Sequence, residues 1–297
     1  MRATGPISVL ASLSEGANSL SAQSRQDSRG QAHVDGWGLA WYDDAGLPRL
    51  EKSLRPAHDD PRFHELARSV TTATALAHVR QASVGSVALV NTHPFVHGRW
   101  VFAHNGTLQD FAARRGPLLR AIPDDLRQMI QGETDSEHAF YFWLGKLRAA
   151  TGGLDGTADA AAVTATLQQT VRELDEWFPT HDGEESKFNF VATDGRLLAA
   201  TRWRHKLSCL EHRGDAGRPG ATAGLPSSGG SASVERGFAL LHPEGTRPAV
   251  APSAPSGDFR AVLIASEPIA ADGWREVPER SLMVVDERFD VHLASVG

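Results

Sequence analysis

Apolar positions along the first half of the chain follow two rhythms. Gly38-Leu39-Ala40-Trp41-Tyr42 is a short apolar and aromatic run closed by the turn sequence Asp43-Asp44-Ala45-Gly46, and residues 50–54 can return beside it as a hairpin. Residues 60–70 instead carry Phe63, Leu66, Ala67 and Val70 at helical spacing behind Pro61, whose fixed φ suits a first turn. Two mostly apolar stretches, 75–79 and 100–103, read as strands covered on both faces.

The clearest helix start is Thr134-Asp135-Ser136-Glu137, where Thr134 can cap the helix while Glu137 reaches back in a capping box. Phe140, Trp143, Leu144 and Leu147 form the apolar stripe behind it, and 160–177 is a second helix with Val163, Leu167, Val171 and Leu174 on one face. Phe188, Phe190 and Ala192 then alternate before the Asp194-Gly195 turn into a returning strand over 197–200. Residues 212–236, rich in Gly and Ser and poor in large apolar residues, read as a flexible surface loop. A Pro-rich stretch follows over 243–255. Later strands are expected at 206–211, 237–241, 261–265, 282–285 and 289–293. No repeat is visible, and strand groups with helices between them imply an α+β fold in layers, one domain over 1–297.

Composition narrows the function classes. A net charge of −6 argues against a nucleic-acid or anionic-membrane partner. No apolar run is long enough to span a membrane, and the run at 7–13 is too short and too interrupted by serines for a secretory leader, so a cytoplasmic protein is expected. The single cysteine, Cys209, excludes a disulfide framework and any multi-cysteine metal site, and lies in the strand expected at 206–211 as a small buried hydrophobe.

Candidate chemistry is densest at 77–106. Arg80 follows a strand and can clamp a carboxylate with two N–H groups; a plain surface arginine is the simpler reading. His104-Asn105-Gly106 ends another strand, where an Asn amide and a Gly N–H can hold an oxyanion or merely form a turn. Asp135 stabilises a helix N-terminus or meets a substrate ammonium. His78, His93, His97 and His104 match no metal-binding spacing, so structural hydrogen bonding is expected of them, with no metal and no cofactor.

In chain order, Ser19-Leu20-Ser21-Ala22-Gln23-Ser24, His33-Val34-Asp35-Gly36-Trp37-Gly38-Leu39-Ala40-Trp41-Tyr42, Ala77-His78-Val79-Arg80 and Asn91-Thr92-His93-Pro94-Phe95 are followed by Phe102-Ala103-His104-Asn105-Gly106. Thr134-Asp135-Ser136-Glu137, Ala192-Thr193-Asp194-Gly195 and Ala265-Ser266-Glu267-Pro268 complete the series. Together they resemble the class II glutamine amidotransferases, in the compact branch made of little more than the glutaminase domain. The resemblance implies a four-layer αββα N-terminal-nucleophile (Ntn) hydrolase sandwich of two mainly antiparallel sheets. Arg80 would hold a glutamine α-carboxylate, Asp135 its α-ammonium, Asn105 and Gly106 the oxyanion, and Ser83 would line the same pocket. The substrate would be glutamine or a γ-glutamyl compound, with ammonia released or passed to a separate synthetase.

Relatives begin Met-Cys-Arg and use the exposed cysteine as nucleophile beside its own α-amino group. Here the chain starts Met1-Arg2-Ala3-Thr4, with no cysteine before Cys209. The resemblance therefore implies that most of the first strand is lacking. The expectation is a true start upstream of Met1; the alternative is a pseudoenzyme that binds glutamine or a γ-glutamyl compound without cleaving it. Thr4 and Ser8 have no free α-amine and are poor substitutes.

Overall fold

A computed structural model describes residues 1–155, 158–214 and 259–296. In chain order its strands are β1 (Arg2–Ser8), β2 (Trp37–Tyr42), β3 (Pro48–Ser53), β4 (Thr71–Val79), β5 (Phe95–His97), β6 (Trp100–Asn105) and β7 (Asn189–Thr193). Then come β8 (Leu198–Arg202), β9 (Ser208–Gly214), β10 (Phe259–Ala265), β11 (Arg275–Glu276), β12 (Ser281–Val285) and β13 (Val291–Ser295). The helices are α1 (Leu20–Arg25), α2 (Pro61–Ser69), α3 (Phe111–Ala121), α4 (Asp124–Arg127), α5 (Asp135–Thr151) and α6 (Ala160–Trp177).

The strands form a seven-stranded sheet, β11-β9-β10-β1-β4-β2-β3, and a six-stranded sheet, β13-β12-β8-β7-β6-β5. Every pairing between these strands is antiparallel. Strand alternation sorts the core into layers. On β2 and β4, Trp37, Leu39, Ala75 and Val79 pack with Phe63, Leu66 and Ala67 of α2. The opposite faces, Ala40, Tyr42 and Leu76, meet Val101 and Ala103 of β6 between the sheets. On β6, Trp100 and Phe102 turn outward to Phe140, Trp143 and Leu144 of α5 and to the apolar face of α6. The result is helix, sheet, sheet, helix. Trp37 Nε1 and Ser53 Oγ donate to Asp60 Oδ2, at 3.0 and 2.6 Å, while Asp60 Oδ1 accepts the Arg62 N–H of α2 at 3.0 Å. That single carboxylate locks the first hairpin to its helix.

Most expected elements form within a few residues of their expected bounds. Strand β1 occupies the centre of the seven-stranded sheet, but it pairs in register with β10 at Arg2 and Ala3 alone and its register with β4 jumps between Arg2 and Ile7. The strand expected at 289–293 starts later, because Phe289 takes a left-handed φ of 63° in a turn whose N–H groups at Arg288 and Asp290 donate to Asp286 Oδ1. Half of the capping box forms. Thr134 Oγ1 accepts the Glu137 N–H at 3.2 Å, but the Glu137 carboxylate takes the N–H groups of Gln131 (3.1 Å) and Gly132 (2.7 Å) instead of reaching back to Thr134. Gly132 permits this: a Cβ there would lie 2.3 Å from Asn91 Oδ1. Of the expected loop 212–236, residues 212–214 belong to β9, and the rest, with the strand expected at 237–241, lies outside the described residues.

Candidate active site

The parity that buries Leu76 between the sheets also directs His78 and Arg80 there, and the parity of Val101 and Ala103 does the same for Asn105. The ends of β4 and β6 therefore deliver a cation and an amide to one gap from opposite walls. Arg80 is 3% exposed, and its Nη1 and Nη2 donate to the carbonyls of Ser86 (3.1 Å) and Val84 (3.2 Å). Among the described residues no carboxylate lies within ion-pair distance of it. Burial pushes its pKa down, opposed by the fields of Asp35 and Asp135. A buried guanidinium held by two carbonyls and lacking an anionic partner has the chemistry to take a carboxylate.

Asp135, also 3% exposed, opens α5. Its Oδ2 accepts the Leu108 N–H at 2.7 Å, and its Oδ1 accepts the Ser136 N–H at 2.8 Å. These bonds fix the carboxylate and leave lone pairs for a cation. His104 is fixed on both sides: Nε2 donates to the Lys187 carbonyl at 2.8 Å, so Nδ1 accepts the Ser136 hydroxyl at 2.9 Å. Burial holds it neutral, with its pKa lowered against the pull of Asp135. Gly106 must be glycine because a Cβ would stand 2.1 Å from the Lys187 carbonyl oxygen. Ser83 lies exposed at the rim, hydrogen-bonded to Thr107 Oγ1 at 3.1 Å.

All five expected site residues, Arg80, Ser83, Asn105, Gly106 and Asp135, line one cavity of about 530 Å³. Cys209 does not; it is buried in the core between the sheets, where its Sγ accepts from Arg275 Nε at 3.3 Å.

The histidines depart from expectation. His104 is fully hydrogen-bonded, but among the described residues both ring nitrogens of His93 and Nδ1 of His78 have no partner. The two rings lie 4.4 Å apart, centroid to centroid, on the cavity wall. Burial, reinforced by positive neighbours, pushes His78 down to about 3 and His93 well below the ordinary imidazole value, so both are neutral and need fewer bonds than a charged pair would. Among the described residues no group of three or more His, Cys, Asp or Glu side chains is arranged to hold a metal.

Beyond Met1 the seven-stranded sheet opens. The Met1 α-amino group donates to the Ala75 carbonyl at 2.7 Å and the Ala75 N–H returns to Met1 at 3.1 Å. Burial pushes that amine down to about 5. By parity the N–H and C=O groups of Ala77 and Val79 point the same way as those of Ala75, into the cavity, with residues 263–265 of β10 on its far side.

Three further lining groups, Asp27, Ser266 and Glu267, were given no role by the sequence. Asp27 organises the loop 27–33: its carboxylate accepts the N–H groups of Arg29 (2.9 Å) and Gln31 (2.8 Å) and also meets His33 Nε2 (3.2 Å). Burial raises its pKa, but these bonds outweigh that and hold it well below the usual carboxylate range. Ser266 Oγ accepts from Asn105 Nδ2 at 2.5 Å, and Glu267 accepts from Ser28 of the same loop. The Ser266-Glu267 pair was visible as a motif, but its partners lie far away in the chain.

The family model for class II glutamine amidotransferases matches residues 10–214, well over half of the chain. The probable glutamine amidotransferase DUG3 of Saccharomyces cerevisiae is 28% identical, over 95% of this chain and 79% of its own. The gamma-glutamyl-hercynylcysteine sulfoxide hydrolase of Mycobacterium tuberculosis is 26% identical, over 89% of this chain and 80% of its own. The crystal structure of a predicted glutamine amidotransferase from Pseudomonas aeruginosa PA01 shares the fold, with a TM-score of 0.55 and 24% identity over 90% of each chain. With its two antiparallel sheets between helices in the Ntn-type arrangement of these neighbours, the chain belongs to the class II glutamine amidotransferases.

Proposed function

We propose that the cavity binds glutamine or the γ-glutamyl part of a conjugate for amide hydrolysis. Arg80 takes the α-carboxylate, Asp135 the α-ammonium, and Asn105 Nδ2 with the Gly106 N–H stabilises the oxyanion that forms when the side-chain carbonyl is attacked. Ser83 lines the rim. The observation that carries this reading is the buried Arg80 guanidinium, held by carbonyls without an acid, sharing one cavity with the other four groups.

In the reaction a thiol sulfur adds to the amide carbon, ammonia or an amine leaves with a proton, and water then cleaves the thioester to glutamate. Within the 297 residues that thiol is missing from the cavity, since Cys209 is buried elsewhere. The 297-residue chain therefore binds its ligand without turnover, because loss of an attacking group costs several orders of magnitude. Ammonia formed by an active version is released or taken up by a separate synthetase.

Calorimetry with L-glutamine and a γ-glutamyl amide, alongside an ammonia assay, tests this. The 297-residue chain should bind and release nothing. A version extended ahead of Met1 by a strand beginning Met-Cys-Arg should release ammonia. Absence of binding in both versions overturns the reading. Binding without turnover in both favours the second reading, a non-catalytic γ-glutamyl-binding module, which the remoteness of Cys209 already supports.

A further inference from the structure

Asn105 sits at the end of β6 with two amide hydrogens and, among the described residues, one side-chain acceptor, Ser266 Oγ. An unrestrained terminal amide rotates about a broad, two-fold torsion. Fixing one hydrogen on Ser266 orients the plane and leaves the second hydrogen for the cavity. The bond spans 161 positions and joins the two sheets, from β6 in the six-stranded sheet to the residue just after β10 in the other.

The next residue extends the same tie. Glu267 Oε1 and Oε2 each accept the Ser28 N–H at 3.2 Å, Oε1 also takes the Ser28 hydroxyl at 2.5 Å, and Oε2 takes Asn18 Nδ2 at 3.3 Å. Ser28 belongs to the loop 27–33, from which Asp27, Arg29, Gln31 and His33 line the cavity. Adjacent side chains thus hold the amide on one wall and the loop on another.

We propose that Ser266 and Glu267 form a positioning pair for this site: Ser266 sets the plane of the Asn105 amide, and Glu267 keeps the loop 27–33 against the cavity. The proposal rests on the reading of Asn105 as an oxyanion donor. Neither residue touches the reacting atoms in this scheme; both act through others.

Nuclear magnetic resonance on the 15N-labelled 297-residue chain tests it, with Asn105→Ala identifying the Asn105 side-chain amide. Its two protons should be distinct and slow to exchange in the parent protein. Ser266→Ala should collapse that difference, and Ser266→Thr should restore it. With L-glutamate as probe, whose γ-carboxylate places an oxygen at the oxyanion position, Ser266→Ala should bind about tenfold more weakly, as expected for a lost charge-assisted bond, with Ser266→Thr within about twofold of the parent. Glu267→Ala should speed exchange of the Ser28 amide by about tenfold or more, as for a hydrogen bond exposed to local opening. Unmoved Asn105 resonances in Ser266→Ala overturn the proposal, as does unchanged glutamate binding. A parent protein that fails to bind glutamate overturns the site reading instead, and the resonances still decide the positioning role.

Discussion

At the scale of single residues, the exacting group is Arg80. Its two carbonyl contacts and the planar fork of its guanidinium fix a geometry that an ammonium does not reproduce. Arg80→Lys is therefore expected to weaken glutamine binding by roughly ten- to a hundredfold, the equivalent of a charge-assisted bidentate contact; calorimetry that finds parent-like affinity would count against the carboxylate assignment. The neutral histidine pair has a pH signature. His78, held down to about 3 when folded, recovers a value near 6.5 on unfolding, so below that the unfolded chain binds the extra proton. Its contribution to stability is present above about pH 6.5 and is lost as the pH falls toward 3, amounting to on the order of 2 kcal/mol by pH 5. Urea unfolding at pH 7 and pH 5 should show that loss in the parent and a smaller one in His78→Gln. That Arg80, Asn105, Gly106 and Asp135 share a cavity was legible from their places at strand ends and a helix cap taken together with the family resemblance, and Ser83 from the resemblance alone. Ser266 as the partner of Asn105, and Asp27 as the hub of its loop, were not, since their significance comes from contacts that local spacing does not encode.

At the scale of elements, helix α5 shows how a cap places a side chain in the cavity. Thr134 ends the preceding chain and starts the helix, which places Asp135 in the first turn facing the Leu108 N–H. Thr134→Ala should cost about 1 kcal/mol and lower the melting temperature by about 2–4 °C, with a loss of glutamine affinity as Asp135 shifts. A melting curve and an isotherm both unchanged would disconnect the cap from the site. Strands with an unbroken apolar run, such as β2 and β6, or with alternation, such as β7, announced themselves. Others did not: β1 reads Arg-Ala-Thr-Gly-Pro-Ile-Ser, with Gly5 and Pro6 breaking any rhythm, and owes its place to pairing with β4 and β10. Helix α3 contains Gly116-Pro117, a pair that reads as a break, and buries only Phe111 and Leu118.

At the scale of the molecule, the two sheets do more than cover each other's apolar faces. Their strand ends converge, so residues far apart in sequence share one hollow, and the tie from Asn105 to Ser266 joins the two sheets there. The layered architecture followed from the pattern of strands and helices; the order of strands within each sheet did not, because β10 and β1 meet only through pairing across most of the chain.

The buried α-amine of Met1 has a practical consequence for handling the protein. Any polypeptide joined ahead of that residue starts between β4 and β10, beside the cavity. A long hydrophilic purification handle fused there should compete with glutamine and loosen the sheet, whereas a handle at the other terminus avoids that place. Side-by-side isotherms and melting curves of the two fusions would reveal the difference, and identical behaviour would mean that the fused chain clears the cavity.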